Sequence, residues 1–92
     1  MANVKTVHIT DLKEDMQAAM AQVVKTEMEE RTQIQTKGVD EWVRVMLLAS
    51  VSFDINYDTR KFDVEAQSKQ VLELLVRQYL LVGVKTPAKP HG

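Results

Sequence analysis

The stretch DVEAQSKQVLELLVRQYLLVG, residues 63–83, decides how the rest of the chain is interpreted, because it has the strongest helical pattern in the sequence. At about 3.6 residues per turn, five apolar side chains fall along one line, and Leu72 and Val76 widen that line into a stripe. The five are Val64, Val71, Leu75, Tyr79 and Val82. The other side carries alternating acidic and basic residues four apart, namely Glu65, Lys69, Glu73 and Arg77. The pattern predicts one amphipathic helix with its apolar stripe buried.

The ends and flanks of this helix carry further signals. Asp63 is a good N-terminal cap, and Gly83 is suited to the left-handed residue that often ends a helix. Leu74 and Leu81 lie outside the stripe, so the helix has more apolar surface than one neighbouring element would cover. We therefore predict an oligomer interface formed by Leu74, Tyr79 and Leu81 together with the apolar run at residues 45–51.

Composition limits the function classes. A chain of 92 residues makes one domain that buries only about 60–65% of its unfolded surface, and without cysteine it has no disulfides to reinforce it. Oligomerisation is the remaining way to add buried surface to so small a core. The 12 basic and 13 acidic residues give no electrostatic signature of nucleic-acid or anionic-membrane binding. No apolar run has the length of a signal peptide or a membrane span, so we expect a soluble, cytoplasmic protein with no membrane partner.

The first half of the chain predicts a short strand followed by a long helix. A weak alternation at residues 4–9 indicates the strand. Asp11 and Glu14 have capping-box spacing, and a helical apolar stripe follows as far as Val24. The helix extends at most over residues 11–36; its last part, RTQIQTK, also alternates with period two, so both helix and strand stay open there.

The middle of the chain predicts a second helix and a strand. Asp40 can cap a helix whose end, VMLLASV at residues 45–51, is apolar nearly all round and is expected to be buried. From Val51 to Tyr57 apolar and polar residues alternate, as in a half-buried strand, and residues 58–60 form a turn. The fold prediction is mainly α with a minor β part: three helices, the first long, and one or two short strands near residues 4–9 and 51–58. Residues 1–84 form a single helical domain, and residues 85–92 a flexible tail.

One spacing resembles the calcium-binding loop of the EF-hand family. Asp54, Asn56, Asp58 and Glu65 stand at the first, third, fifth and twelfth positions of such a loop. The resemblance implies a calcium site between two helices. The sixth position, usually Gly, is Thr59, and the eighth, usually apolar, is Lys61. We favour an ordinary strand and turn, with no metal and no cofactor, and keep these four residues as weak metal candidates.

A second resemblance rests on the order strand, helix, Gly-containing turn, helix across residues 5–50. This order is similar to the ribbon-helix-helix family of dimeric DNA-binding regulators. The resemblance implies that the N-terminal strands pair across a dimer and enter the major groove, with Gly38 in the turn. The residues facing DNA would be Lys5, Val7 and Ile9, or their neighbours Thr6, His8 and Thr10. The strand holds a single basic residue.

The sequence shows no recognisable set of catalytic residues, because His8 and His91 are far apart and no nucleophile stands at a suitable spacing from either. Polar residues replace the apolar stripe in the second half of the first helix, and we predict partner binding there by Glu27, Glu30, Arg31 and Ile34. The leading hypothesis is a non-catalytic protein-interaction or assembly protein, that is, an adaptor or assembly subunit. It would act as a helical homo-oligomer, most simply a homodimer. It would bind another macromolecule, and a protein partner is favoured. A ribbon-helix-helix regulator that binds nucleic acid and a calcium module are the alternatives.

Overall fold

The computed structural model describes residues 3–85 and shows an α+β fold. Three helices are joined by five strands in two sheets, so the prediction of a mainly α fold with a minor β part is wrong. In chain order the elements are β1 (Val4–His8), α1 (Glu14–Thr32), β2 (Ile34–Thr36), α2 (Val39–Ala49), β3 (Ser52–Asn56), β4 (Lys61–Val64), α3 (Ala66–Leu75) and β5 (Leu81–Val84). A 3₁₀ turn, Ile9–Asp11, precedes α1, and a π-helical turn, Val76–Leu80, follows α3.

The larger sheet is antiparallel with the order β1-β3-β4. Its middle strand brings Phe53 opposite Val7 on one side and opposite Val64 on the other. β3 and β4 form a hairpin, closed by a turn in which Arg60 has a φ of 59°. Strands β1 and β3 stand where the alternating sequence patterns predicted strands, whereas β4 lies in a segment assigned to the last helix and its approach.

The smaller sheet joins β2 to β5, and neither strand was assigned from the sequence. The long first helix ends at Thr32 because Gln33 adopts the left-handed conformation, with φ 58° and ψ 27°. The chain then extends, and residues 34–36 pair with residues 81–84 around an irregularity in register. A helix continuing to residue 36 would leave β5 without its partner, so the tertiary pairing decides the ambiguous segment.

The core lies between α1, α2, α3 and the inner face of the larger sheet. Trp42 and Met46 place α2 at its centre, with α1 packed on one side. The fully or nearly fully buried apolar residues are Ile9, Met20, Ala21, Val24, Met28, Trp42, Val45, Met46, Val51, Phe53, Val64, Leu72, Val76 and Leu80. Because α1 contributes only one narrow row to this core, most of its circumference faces solvent.

The last helix is shorter than predicted at both ends. Glu65, rather than Asp63, is its N-cap and accepts a hydrogen bond from the backbone N–H of Ser68. Residues 61–64 are drawn into the hairpin with β3, so Asp63 belongs to a strand. At the other end Gly83 lies in β5, and its φ is not in the left-handed region.

The buried row of this helix also differs from the predicted stripe. Its members follow one another at intervals of four, and they are Ser68, Leu72, Val76 and Leu80. Val71, Tyr79 and Val82 are exposed instead. The π-helical turn adds a residue to the last turn and the chain then becomes a strand, so a single 3.6-residue period does not apply over residues 63–83.

The apolar run at residues 45–51 is not buried throughout. Val45, Met46 and Val51 are in the core, but Leu47 and Leu48 face solvent. Ser50 ends α2 in the left-handed conformation. Among residues 3–85, no helix has the length and apolarity needed to cross a membrane. The predicted tail lies, apart from Lys85, outside the described residues.

Candidate interaction surface

A groove of about 670 Å³ runs between the end of α2 and the side of α3. Its apolar lining comes from α2, α3 and the π-helical turn, and its charged groups come from α2 and from Lys37, two residues before α2. The apolar lining residues are Val45, Leu48, Ala49, Val71, Leu75, Tyr79 and Leu80; the charged ones are Lys37, Glu41 and Arg44. A concave apolar surface with charged neighbours is the arrangement found at the centre and edge of protein interfaces.

The walls of the groove expose large apolar side chains. Leu48 is 81% exposed and Tyr79 is 61% exposed. Leu48 lies two residues after the buried pair Val45 and Met46, about 200° round the helix from Met46, so it cannot turn into the core without rotating the helix that carries them. Helical geometry therefore fixes Leu48 on the surface.

Further apolar side chains are exposed on α3 and β5. Leu74 lies one turn beyond Val71, and three of the four residues of β5 are exposed. We call the following set the apolar face: Leu48, Val71, Leu74, Tyr79, Leu81, Val82 and Val84. It accounts for seven of the twelve large hydrophobic residues exposed among the described residues, so the apolar exposure is concentrated on one part of the chain.

The predicted interface residues belong to the apolar face. Leu74, Tyr79 and Leu81 are 62%, 61% and 46% exposed. Leu48 belongs to the run at residues 45–51 that was also predicted to take part, whereas Val82 and Val84 were missed because the sequence assigned them to a helix and its end. Burial of neighbouring residues, which only the tertiary structure reveals, would have been needed to find them.

The predicted partner-binding segment is used largely within the chain. Lys69 Nζ lies 2.8 Å from a carboxylate oxygen of Glu27 and 3.1 Å from Asp63. The hydrogen bond to Glu27, partly opposed by burial and assisted by Asp63, holds the pKa of Lys69 above its usual value. The polar residues that continue the apolar stripe of α1 therefore face polar residues of α3 and β4.

Arg31 and Ile34 also contact their own chain. The Arg31 guanidinium donates to Glu73 at 2.7 Å, and this bond raises the pKa of Arg31 above its usual value. Ile34 is half-buried against the core, and Glu30 is exposed. The ion pairs of Glu27 and Arg31 show that the polar continuation of the stripe is used within the chain, and partner binding by the four residues stays a prediction.

The weak calcium candidates do not form a loop between helices. Asp54 lies in β3 and accepts a hydrogen bond from the Thr6 hydroxyl at 2.7 Å. Asn56 accepts hydrogen bonds from backbone N–H groups of the hairpin turn, and Asp58 accepts one from the backbone of Asn3. Glu65 caps α3. Within residues 3–85 no group of three or more His, Cys, Asp or Glu side chains is arranged to hold a metal ion.

The residues implied by the ribbon-helix-helix resemblance have a different setting. β1, with Lys5, Thr6, Val7 and His8, pairs with β3 of its own chain, whereas the resemblance implies pairing between copies. Ile9 is fully buried in the 3₁₀ turn, where Thr10 is exposed. Gly38 is the N-cap of α2. The predicted order of strand, helix, turn and helix is present. The structure differs from the resemblance in two ways: β2 lies between the two helices, and β1 pairs within its own chain.

No protein-family model, curated protein or solved structure compared with this chain matches it. Its function therefore has to be inferred from the surface. The groove and the apolar face provide apolar area for contact with another molecule, and the groove adds three charged side chains. The residues with shifted pKa values, Glu29, Arg31 and Lys69, do not line the groove.

Proposed function

We propose that this chain is a non-catalytic protein-interaction or assembly protein that acts as a homo-oligomer and binds another macromolecule. The observation that carries the proposal is the apolar face, with Leu48 and Tyr79 exposed on the walls of the groove. Large apolar side chains clustered on a small protein mark interaction sites, because their removal from water favours association. A chain of 92 residues also gains core area by association.

The shape of the groove favours a protein segment as the bound macromolecule. Two helical elements form its walls, as in sites that receive an amphipathic helix or an apolar peptide. Glu41 and Arg44, which line the groove on the α2 side, form an ion pair with each other, so the groove combines apolar side chains with a charged pair on one wall. Such a site selects a partner with an apolar centre and polar edges.

The chemistry of the groove supports a non-catalytic role. Catalytic groups usually have pKa values shifted by burial and by facing charges. Within residues 3–85, the shifted groups take part in ion pairs: Lys69 and Arg31 join α1 to its neighbours, and Glu29 pairs with Lys25 inside α1. The shifts therefore have a structural cause.

Self-association is tested by replacing Leu74 and Leu81 with Lys and measuring the molar mass by light scattering. The two charges would have to be buried in the oligomer, so we expect the mass to fall towards the 10.5 kDa of one chain. Met16→Lys with Val23→Lys is the matched control, because these α1 residues are similarly exposed and lie outside the apolar face. A wild-type mass of 10.5 kDa at about 100 μM, where even a dimer of micromolar dissociation constant is mostly assembled, would refute the proposal.

A further inference from the structure

The outer edge of β5 presents unpaired backbone groups. The N–H of Lys85 donates to the carbonyl of Gln33 at 2.8 Å, so these two residues form a hydrogen-bonded pair. Hydrogen-bonded and non-hydrogen-bonded pairs alternate in an antiparallel ladder, which makes the next pair, Ile34 with Val84, non-hydrogen-bonded. The N–H and C=O of Val84 therefore point away from β2. Within residues 3–85 no strand covers that side of β5.

The edge of β5 lacks the protection that the edge strands of the larger sheet have. β1 carries Lys5 and His8, and β4 carries Lys61 and Asp63. Charged side chains on an edge strand discourage pairing with another chain. β5 has the sequence LVGV, without charge or proline, and its Leu and Val side chains are exposed. Of these edges, β5 is the one suited to receive another strand.

We propose that β5 pairs antiparallel with β5 of a second copy of this chain, about a two-fold axis at Gly83. The result is a continuous sheet with the order β2-β5-β5-β2. This inference rests on the proposed self-association and specifies how it occurs. A two-fold axis makes each outward N–H of one copy face an outward C=O of the other, so one edge serves as donor and acceptor at once.

A second copy fits this edge better than an unrelated partner for two reasons. Residues 81–84 carry no charge, so identical strands meet without like-charge repulsion. β5 follows directly on the π-helical turn that carries the exposed Tyr79, so a copy paired at this edge lies next to further exposed apolar side chains. A two-stranded ribbon as short as β2 and β5 is also weak by itself and gains from two more strands.

Gly83 occupies the position where the two strands would come closest. Pairing Val84 with Val82 of the other copy places Gly83 opposite Gly83 as a non-hydrogen-bonded pair, with Cα atoms about 4.5 Å apart. A Cβ added at Gly83 meets no atom within 4 Å, and the backbone there is not left-handed. A side chain at this position is therefore tolerated within one copy and would touch its counterpart in the pair.

The test is disulfide formation by Gly83→Cys, which is clean because the chain has no cysteine of its own. A Cα separation of about 4.5 Å lies within the range that a disulfide spans, so we expect oxidation to give a covalent dimer. Gln35→Cys is the matched control, since Gln35 is exposed and opposite Gly83 on β2. Three strand spacings would separate the two Gln35 residues, about 14 Å, too far for a disulfide.

The outcomes distinguish this inference from the proposed function. Strong cross-linking of Gly83→Cys and little of Gln35→Cys, at equal concentration, supports the paired strands. Equal or absent cross-linking in a protein that light scattering shows to be oligomeric overturns β5 pairing and leaves self-association standing. A monomer overturns both.

A second variant tests the backbone contact directly. Val84→Pro removes an outward N–H and no hydrogen bond between β2 and β5, so we expect the dissociation constant of the oligomer to rise tenfold or more by sedimentation equilibrium. Val84→Thr keeps the N–H and the branched shape and serves as the control, with a change below threefold. An unchanged dissociation constant for a folded Val84→Pro protein would overturn the inference.

Discussion

The half-buried carboxylate of Glu29 makes a sharp prediction about stability. One of its oxygens accepts hydrogen bonds from the Thr36 backbone N–H at 3.0 Å, from the Thr36 hydroxyl at 2.9 Å and from Lys25 Nζ at 3.0 Å. The Thr36 hydroxyl in turn accepts a hydrogen bond from the Trp42 indole N–H at 3.1 Å. The network fastens β2 to both α1 and α2, so Glu29→Gln should loosen the junction of all three.

The size of the effect follows from the charge that the substitution removes. A hydrogen bond to a charged acceptor contributes about 1.5–3 kcal/mol and a neutral one about 0.5–1.5 kcal/mol. Two bonds from Thr36 are weakened and the Lys25 ion pair is lost, so we expect a loss of about 2 kcal/mol in the free energy of unfolding at pH 7. For a domain of this size that lowers the melting temperature by about 8–16 °C.

The dependence on pH tests the cause. Burial would raise the pKa of Glu29, but the hydrogen bonds from Thr36 and the nearby Lys25 outweigh it and hold the pKa below its ordinary value of 4.5. A carboxyl whose pKa is lower in the folded state stabilises the fold above the unfolded pKa, and this contribution disappears as the pH falls through the folded pKa. The difference between wild type and Glu29→Gln should therefore be full at pH 7 and should shrink steadily as the pH falls below about 4.

Urea denaturation followed by circular dichroism at pH 7 and in steps below pH 4 measures this difference. Glu30→Gln is the control: Glu30 is the exposed neighbour, and its replacement should change the free energy of unfolding by less than about 0.5 kcal/mol. Equal stability of wild type and Glu29→Gln at pH 7 would refute the reasoning. A difference that stays the same in acid would show that packing, rather than the charge, is responsible.

Two further predictions concern helix ends. The Ser68 hydroxyl accepts a hydrogen bond from the Ser52 backbone N–H at 3.0 Å, so Ser68→Ala should cost about 1–2 kcal/mol in thermal denaturation, while the exposed neighbour Gln67→Ala stays near wild type. An unchanged melting temperature would mean that water replaces the hydroxyl without loss. Ser50 has a φ of 53°, which glycine adopts without strain, so Ser50→Gly should raise the free energy of unfolding by about 0.5–1 kcal/mol and Ser50→Ala should not. Equal effects of the two substitutions would contradict this reading.

The sequence predicted correctly those elements in which the apolar pattern and the tertiary contacts favour the same secondary structure. The alternation at residues 4–9 and 51–58 corresponds to β1 and β3, and the apolar row up to Val24 lies in α1. Met20 and Val24 of α1 and Val51 and Phe53 at β3 are buried as their periods predict, whereas Met16, Val23 and Tyr57 are exposed, so the pattern identifies the element better than its full buried face.

The sequence failed where pairing between distant segments decides the conformation. Val64 and Val82 fit a helical period and also belong to strands, and only their partners, Phe53 in one case and the β2 segment in the other, select the strand. The run at residues 45–51 was expected to be buried throughout because it is apolar nearly all round, but α2 buries only the side that carries Val45 and Met46, and Leu48 is exposed. Glu27 and Arg31 were assigned to a partner because α3 could not be placed beside them from sequence alone.

The pairing of β2 with β5 also bears on when the protein becomes able to assemble. Ile34 and Val84 are 50 positions apart, so this ribbon closes a long loop and belongs to the contacts that a nascent chain acquires late. Since β5 is held in extended form by β2, we expect its outer edge to exist only in molecules that have finished folding. Only fully folded monomers would then be able to pair through β5, and incompletely folded chains would not enter the oligomer.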